Sequence, residues 1–128
     1  MRKIIMRGWP LIVSALAIAA TPALAADDIM AGFYGNTVIS AGGMLESHTH
    51  YRADHTFDVT ATAMGRSFNA KGTWKIDDKG QLCRTYETAP PGMPNPLCIP
   101  AEPHKIGDSW SVTFNGRART MTLKAGVE

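Results

Sequence analysis

His48 and His50 stand two positions apart, with Glu46 just before them and Asp54, His55 and Asp58 just after. On an extended chain, residues two apart leave the same face with their Cα atoms roughly 6 to 7 Å apart, so two imidazoles in this spacing can grip one ion. The next turn supplies an acid. Tyr51 and Phe57 belong on one buried face, which in an antiparallel pair requires an odd-numbered loop. The three-residue loop Ala53-Asp54-His55 meets that need, pairing Tyr51 with Phe57, His50 with Asp58 and His48 with Thr60. His48, His50 and Asp58 then offer two nitrogens and one carboxylate on one face, the makings of an open site for a divalent transition metal. The same His50–Asp58 pair could do general acid or base work. A solvated polar face is the simpler expectation. These residues lie opposite Phe57 and Val59, and they lack the longer ligand spacing of a His-Glu-x-x-His helix.

No other enzyme signature accompanies them. Ser40, Ser47, Ser67, Ser109 and Ser111 occur without a Gly-x-Ser-x-Gly elbow, and no glycine-rich loop is shaped for phosphate. No cofactor is expected beyond that metal. The two cysteines, Cys83 and Cys98, are not a Cys-x-x-Cys redox pair, and their even count in an exported chain favours a structural disulfide.

Export is the expectation from residues 1–25. Arg2, Lys3 and Arg7 precede an apolar run over 11–20, and Ala23-Leu24-Ala25 is a small-residue cleavage site, the order of a secretory signal peptide. One secreted or periplasmic domain, 26–128, is expected to follow. It has no segment apolar enough to span a bilayer, and no cysteine follows the apolar run to carry a lipid anchor. The whole chain has 13 Lys plus Arg against 11 Asp plus Glu. Without the signal's three bases, ten face eleven and the charges are well mixed. A nucleic-acid partner is not expected, since such a domain usually shows a basic stripe.

These side chains need a scaffold, and the pattern of 26–128 is β almost throughout. After a lead over 26–35 with room for one helical turn, strands are expected at 36–40, 44–52, 56–64, 67–76, 81–87, 97–99, 109–114 and 117–124. Turn residues separate them, most clearly Asn115-Gly116, which suits a type I′ hairpin. Alternation puts Phe57, Val59, Ala61 and Ala63 on an inner face, with Phe68, Ala70, Trp74 and Ile76 beside them and Trp110, Val112 and Phe114 near the end. An all-β antiparallel meander curled into a small barrel or half-barrel accounts for this, and a sandwich is the second architecture to consider. The proline-rich stretch 90–96 cannot be a central strand and reads as a loop stapled at its base by the two cysteines.

Gly72-Thr73-Trp74-Lys75-Ile76, Leu82-Cys83-Arg84, Cys98 and Gly107-Asp108-Ser109-Trp110 resemble small bacterial secreted proteins with a lipocalin-like, or calycin-like, β-meander. The resemblance implies a fold and carries no agreed activity. Where those proteins often have Asp-Gly-Thr, this chain has Asp54-His55-Thr56. Two functions are thus carried forward. One is a binding or accessory protein for a small apolar ligand or a protein partner, with Trp74, Phe68, Tyr86 and Trp110 lining the ligand site. The other is a small metal-dependent or acid/base enzyme centred on His48, His50 and Asp58.

Overall fold

The computed structural model describes residues 25–114 and 116–128, so all of the expected signal peptide except Ala25 lies outside the described residues. One short helix, α1 (Ala26–Met30), leads into eight strands: β1 (Thr37–Gly42), β2 (Leu45–Tyr51), β3 (Thr56–Ala63), β4 (Arg66–Ile76), β5 (Gln81–Tyr86), β6 (Leu97–Pro100), β7 (Ser109–Phe114) and β8 (Arg117–Lys124). They form a single antiparallel sheet in the order β6-β5-β4-β3-β2-β1-β8-β7. The β1–β8 pairing, with Val38 opposite Leu123, rolls the meander into a nearly closed barrel whose two edges are β6 and β7. A sandwich would need two sheets, and there is one.

Local chemistry explains the turns. Arg52 and Thr56 close the β2–β3 hairpin around Ala53-Asp54-His55, through Arg52 N–H donating to Thr56 O at 3.0 Å. Tyr51 therefore faces Phe57, and His50 faces Asp58. His55 holds the left-handed position in this loop, at φ 68°, where glycine would sit without strain. Its ring stacks on Trp74 with centroids 4.2 Å apart, which offsets the cost. Gly72 is needed for a different reason. A Cβ there would lie 1.9 Å from the Thr85 carbonyl oxygen. Gly72 sits between Phe57 and Tyr86 in register, and their rings meet edge-to-face at 5.2 Å over the bare glycine.

The inner face holds the core that alternation predicts for Phe57, Val59, Ala61, Trp74 and Val112, all buried. Ala70, Ile76, Trp110 and Phe114 are partly buried and pack against it. Phe68 departs from expectation, at 45% exposed. It lies on the part of β4 that extends past the end of β5, whose pairing with β4 starts only at Gly72, so no strand wall encloses it on that side. The end of the barrel at the β2–β3 and β4–β5 turns, its lower end, contains a feature that alternation does not reveal. Ile29 and Met30 of α1 and Phe33 after it are buried inside the barrel, Met30 completely. Cys83 and Cys98 are cross-strand neighbours on β5 and β6 and form the disulfide. Among the described residues no helix is long and apolar enough to cross a membrane.

Candidate functional site

The barrel separates the two candidate sites, with the aromatic residues lining its interior and the histidine face outside. On β2 the outward residues include His48 and His50, and the latter is only 9% exposed because the chain end covers it. Thr37 Oγ1 donates to Gly126 O at 2.7 Å, drawing that tail across β1. His50 then has a partner on each ring nitrogen, Asp58 Oδ1 at 2.8 Å from Nδ1 and the Glu128 backbone oxygen at 3.0 Å from Nε2. Asp58 uses its other oxygen on Arg52. Partial burial opposes the Asp58 charge, but hydrogen bonds from His50 and Arg52 outweigh it and hold the carboxyl below the usual carboxylate range. His48 turns to Glu46, 2.9 Å away, and does not join His50. The structure thus brings His50 and Asp58 together as register predicts, in a network that fastens the tail. Any metal at His50 would have to displace one of these partners. Among the described residues, the cluster of possible ligands that lies within mutual reach is Asp77, Cys83 and Cys98, and its sulfurs are joined to each other.

The inner face carries a different kind of group. On β5, Leu82, Arg84 and Tyr86 point inward, and Arg84 is 8% exposed in an otherwise apolar interior. Its guanidinium carbon lies 5.6 Å from the Phe57 ring centroid and 5.5 Å from that of Tyr86. Nη1 donates to the Tyr51 hydroxyl at 3.4 Å, and Nε has no partner. Among the described residues no carboxylate pairs with it. Burial raises the Tyr86 hydroxyl above the ordinary tyrosine range, so that ring is a neutral neighbour at ordinary pH. Burial opposes the Arg84 charge and the Tyr51 and Tyr86 hydroxyls offset it, but the aromatic faces and the one long hydrogen bond supply no counter-charge and leave Nε unpaired. Cation–π contacts contribute about 1 to 2 kcal/mol each when desolvated, against several kcal/mol for taking a charge out of water. Arginine cannot relieve this by losing its proton. Its planar fork suits a carboxylate or another oxyanion in bidentate fashion.

The expected ligand-lining residues are divided by the structure. Trp74 and Tyr86 are buried next to this arginine, with Trp74 directly opposite Arg84 in register. Trp110 lies under His104, stacked at 3.6 Å, with Phe33 edge-on at 6.2 Å. Phe68 is at the open upper rim. Sequence reasoning overlooked Arg84, although the alternation that turns Tyr86 inward turns Arg84 inward too. The space left inside is small. A pocket partly open at the barrel end, lined by Met30, Phe33, Tyr51, Leu82, His104 and Trp110 among others, has about 20 Å³, enough for about one water. A separate open groove of about 330 Å³ lies outside, lined by polar side chains including Asp58, Asn69, Lys71 and Glu87.

The segment that fills the lower end of the barrel is short and uncapped, and the burial of Ile29, Met30 and Phe33 is what holds it. Helix α1 has five residues, and Ala25 at its N-cap makes no side-chain capping bond, where a cap usually contributes about 1 kcal/mol. Phe33 lies edge-on to Tyr51 at 5.9 Å, and Tyr34 lies 6.2 Å from Trp74. The N-terminal segment therefore covers the aromatic residues that surround Arg84. Comparison with known proteins returned no match: no family model, no curated protein and no solved structure is significantly similar to this chain.

Proposed function

We propose that the protein is a secreted or periplasmic binding protein for a small amphiphile with an anionic head, a fatty-acid-like carboxylate being the simplest case. Arg84 takes the head, assisted by the Tyr51 and Tyr86 hydroxyls, and the apolar tail takes the volume now filled by Ile29, Met30 and Phe33. The observation that carries this reading is Arg84 itself, a buried cation with an unpartnered Nε and, among the described residues, no acidic partner. A purely structural inward position on β5 would be filled at less cost by leucine or methionine, because an uncompensated buried charge costs more than an apolar side chain of similar volume. The ligand would supply the missing counter-charge. It would also compensate for expelling the N-terminal segment by burying its own tail against the same aromatic rings.

Tryptophan fluorescence tests this. Dodecanoate should change the emission saturably, since Trp74 lies beside Arg84, while the uncharged dodecanol should bind at least tenfold more weakly, as expected for a charge-assisted bidentate contact of about 1.5 to 3 kcal/mol. Arg84→Met should abolish that preference. The variant should fold and melt at the same temperature or higher, because it removes an uncompensated charge. Equal affinity for acid and alcohol, or a preference that survives Arg84→Met, contradicts the proposal.

A further inference from the structure

The strands alternate in direction, so the β1–β2, β3–β4 and β7–β8 turns share one end of the barrel, and α1, the β2–β3 turn, the β4–β5 turn and the 101–108 connection share the other. Charge is segregated between these ends. The segments 40–46, 62–68 and 112–119 contain Arg66, Arg117 and Arg119 against one acid, Glu46, which is paired with His48. The opposite end is net acidic, with Asp27, Asp28, Asp54, Asp77, Asp78 and Asp108 outnumbering Arg52, Lys79 and Lys105. At the basic end Arg119 turns inward to the carbonyls of Ser40, Gly42 and Leu45. Arg66 and Arg117 have no ion-pair partner among the described residues and are exposed. The acid nearest this end on the fourth connection, Glu87, faces Lys71 at 3.7 Å.

Large apolar side chains project from the same end. Met44 is 74% exposed, Met64 80% and Phe68 45%. Met44 and Met64 sit on adjacent hairpins, just beyond the paired residues Leu45 and Ala63. Met64 is placed there against backbone preference. Ala63 pairs with Arg66, leaving a two-residue turn in which Met64 has φ 52° and Gly65 φ 75°, a conformation that asparagine or glycine adopts far more easily than methionine. A strained backbone position that holds an exposed apolar side chain points to function.

We infer that this end docks on an anionic lipid surface, with Met44, Met64 and Phe68 entering the interfacial layer and Arg66 and Arg117 facing the headgroups. Charge complementarity selects this occupant. The apolar groups are separate protrusions, Met44 and Met64 on turn tips and Phe68 on the open part of β4, beside two arginines that pair with no acid among the described residues, while the acidic far end would be repelled and so orients the barrel upright. This inference stands whether or not Arg84 binds an anion, because it uses other residues.

Co-sedimentation of the intact disulfide-bonded protein with vesicles tests it. Binding is expected to vesicles of equal parts phosphatidylglycerol and phosphatidylcholine, to weaken with added salt, and to be much lower on pure phosphatidylcholine. Replacing Arg66→Gln and Arg117→Gln together should lower it by roughly fivefold per arginine. Met64→Asn should raise the melting temperature, since asparagine suits the turn, yet weaken vesicle binding about tenfold. The inference is overturned if the protein stays in solution with phosphatidylglycerol vesicles at low salt. It is equally overturned if binding persists unchanged in both variants, or if this end proves to bind a second copy of the chain in place of lipid.

Discussion

Asp58 shows how much a single residue's surroundings can be read from register alone. Its pairing with His50 follows from the odd loop between Tyr51 and Phe57, and the structure has that pairing. What register could not reveal is that the tail ending in Glu128 folds back to take the other His50 nitrogen, because that contact spans 78 positions and leaves no local pattern. The consequence is a pH dependence with a definite sign. In the folded chain Asp58 is held below the ordinary carboxylate range, as are Asp54 and Asp108 through their hydrogen bonds. The unfolded chain therefore binds protons first as acid is added. Stability should be complete above the ordinary carboxylate pKa of about 3.9 and decline as pH falls below it toward the folded values. Thermal melts between neutral pH and pH 3 on the wild type and Asp58→Asn check this. The variant should be less stable at neutral pH and lose less on acidification, and parallel curves would remove Asp58 from the account. Arg84 was legible in the same way as its neighbour Tyr86, through alternation on β5, but a charged residue is ordinarily assigned to the outside of a strand. The chain breaks that rule here, which is why the residue is informative.

At the scale of elements, the strands were legible because each carries its own alternation and turn residues. Their ends shifted by a residue or two where turn chemistry took over, as at Gly43-Met44, which form the β1–β2 turn outside either strand. The shortness of β5 and β6 relative to β4 was legible, whereas the exposure of Phe68 past the end of β5 and the burial of Ile29, Met30 and Phe33 inside the barrel were not. Both depend on how the sheet closes, which no single strand encodes. The disulfide closes a 15-residue separation between paired positions, for which the chain-entropy estimate is about 3 kcal/mol. Reduction should thus lower the melting midpoint by roughly 10 °C or more at this domain size, and an unchanged midpoint would show that pairing alone holds β6. Gly72→Ala should be worse than an ordinary glycine replacement in a strand. Its Cβ would meet the Thr85 carbonyl carbon at 2.9 Å as well as the oxygen, forcing β5 away from β4 and separating Phe57 from Tyr86. A destabilisation of about 1 to 3 kcal/mol in urea unfolding is expected, together with a shift of the near-ultraviolet circular dichroism from those rings.

The whole molecule is a barrel whose interior is occupied by Ile29, Met30 and Phe33 and whose buried Arg84 has no carboxylate partner among the described residues. These two facts give the central claim, that those three side chains stand in for the tail of a ligand and that the ligand's anionic head completes Arg84. Nuclear magnetic resonance on the purified protein tests it most directly, using dodecanoate carrying a ¹³C carboxyl and following the Arg84 Nε–H resonance. Titration should move the Arg84 Nε–H signal and the bound carboxyl signal together with one saturation curve, and should give contacts from the dodecanoate chain to Tyr51, Trp74 and Tyr86 while signals of Met30 and Phe33 shift as they leave the interior. A dodecanoate titration that perturbs surface residues alone and leaves the Arg84, Met30 and Phe33 signals in place would contradict the account.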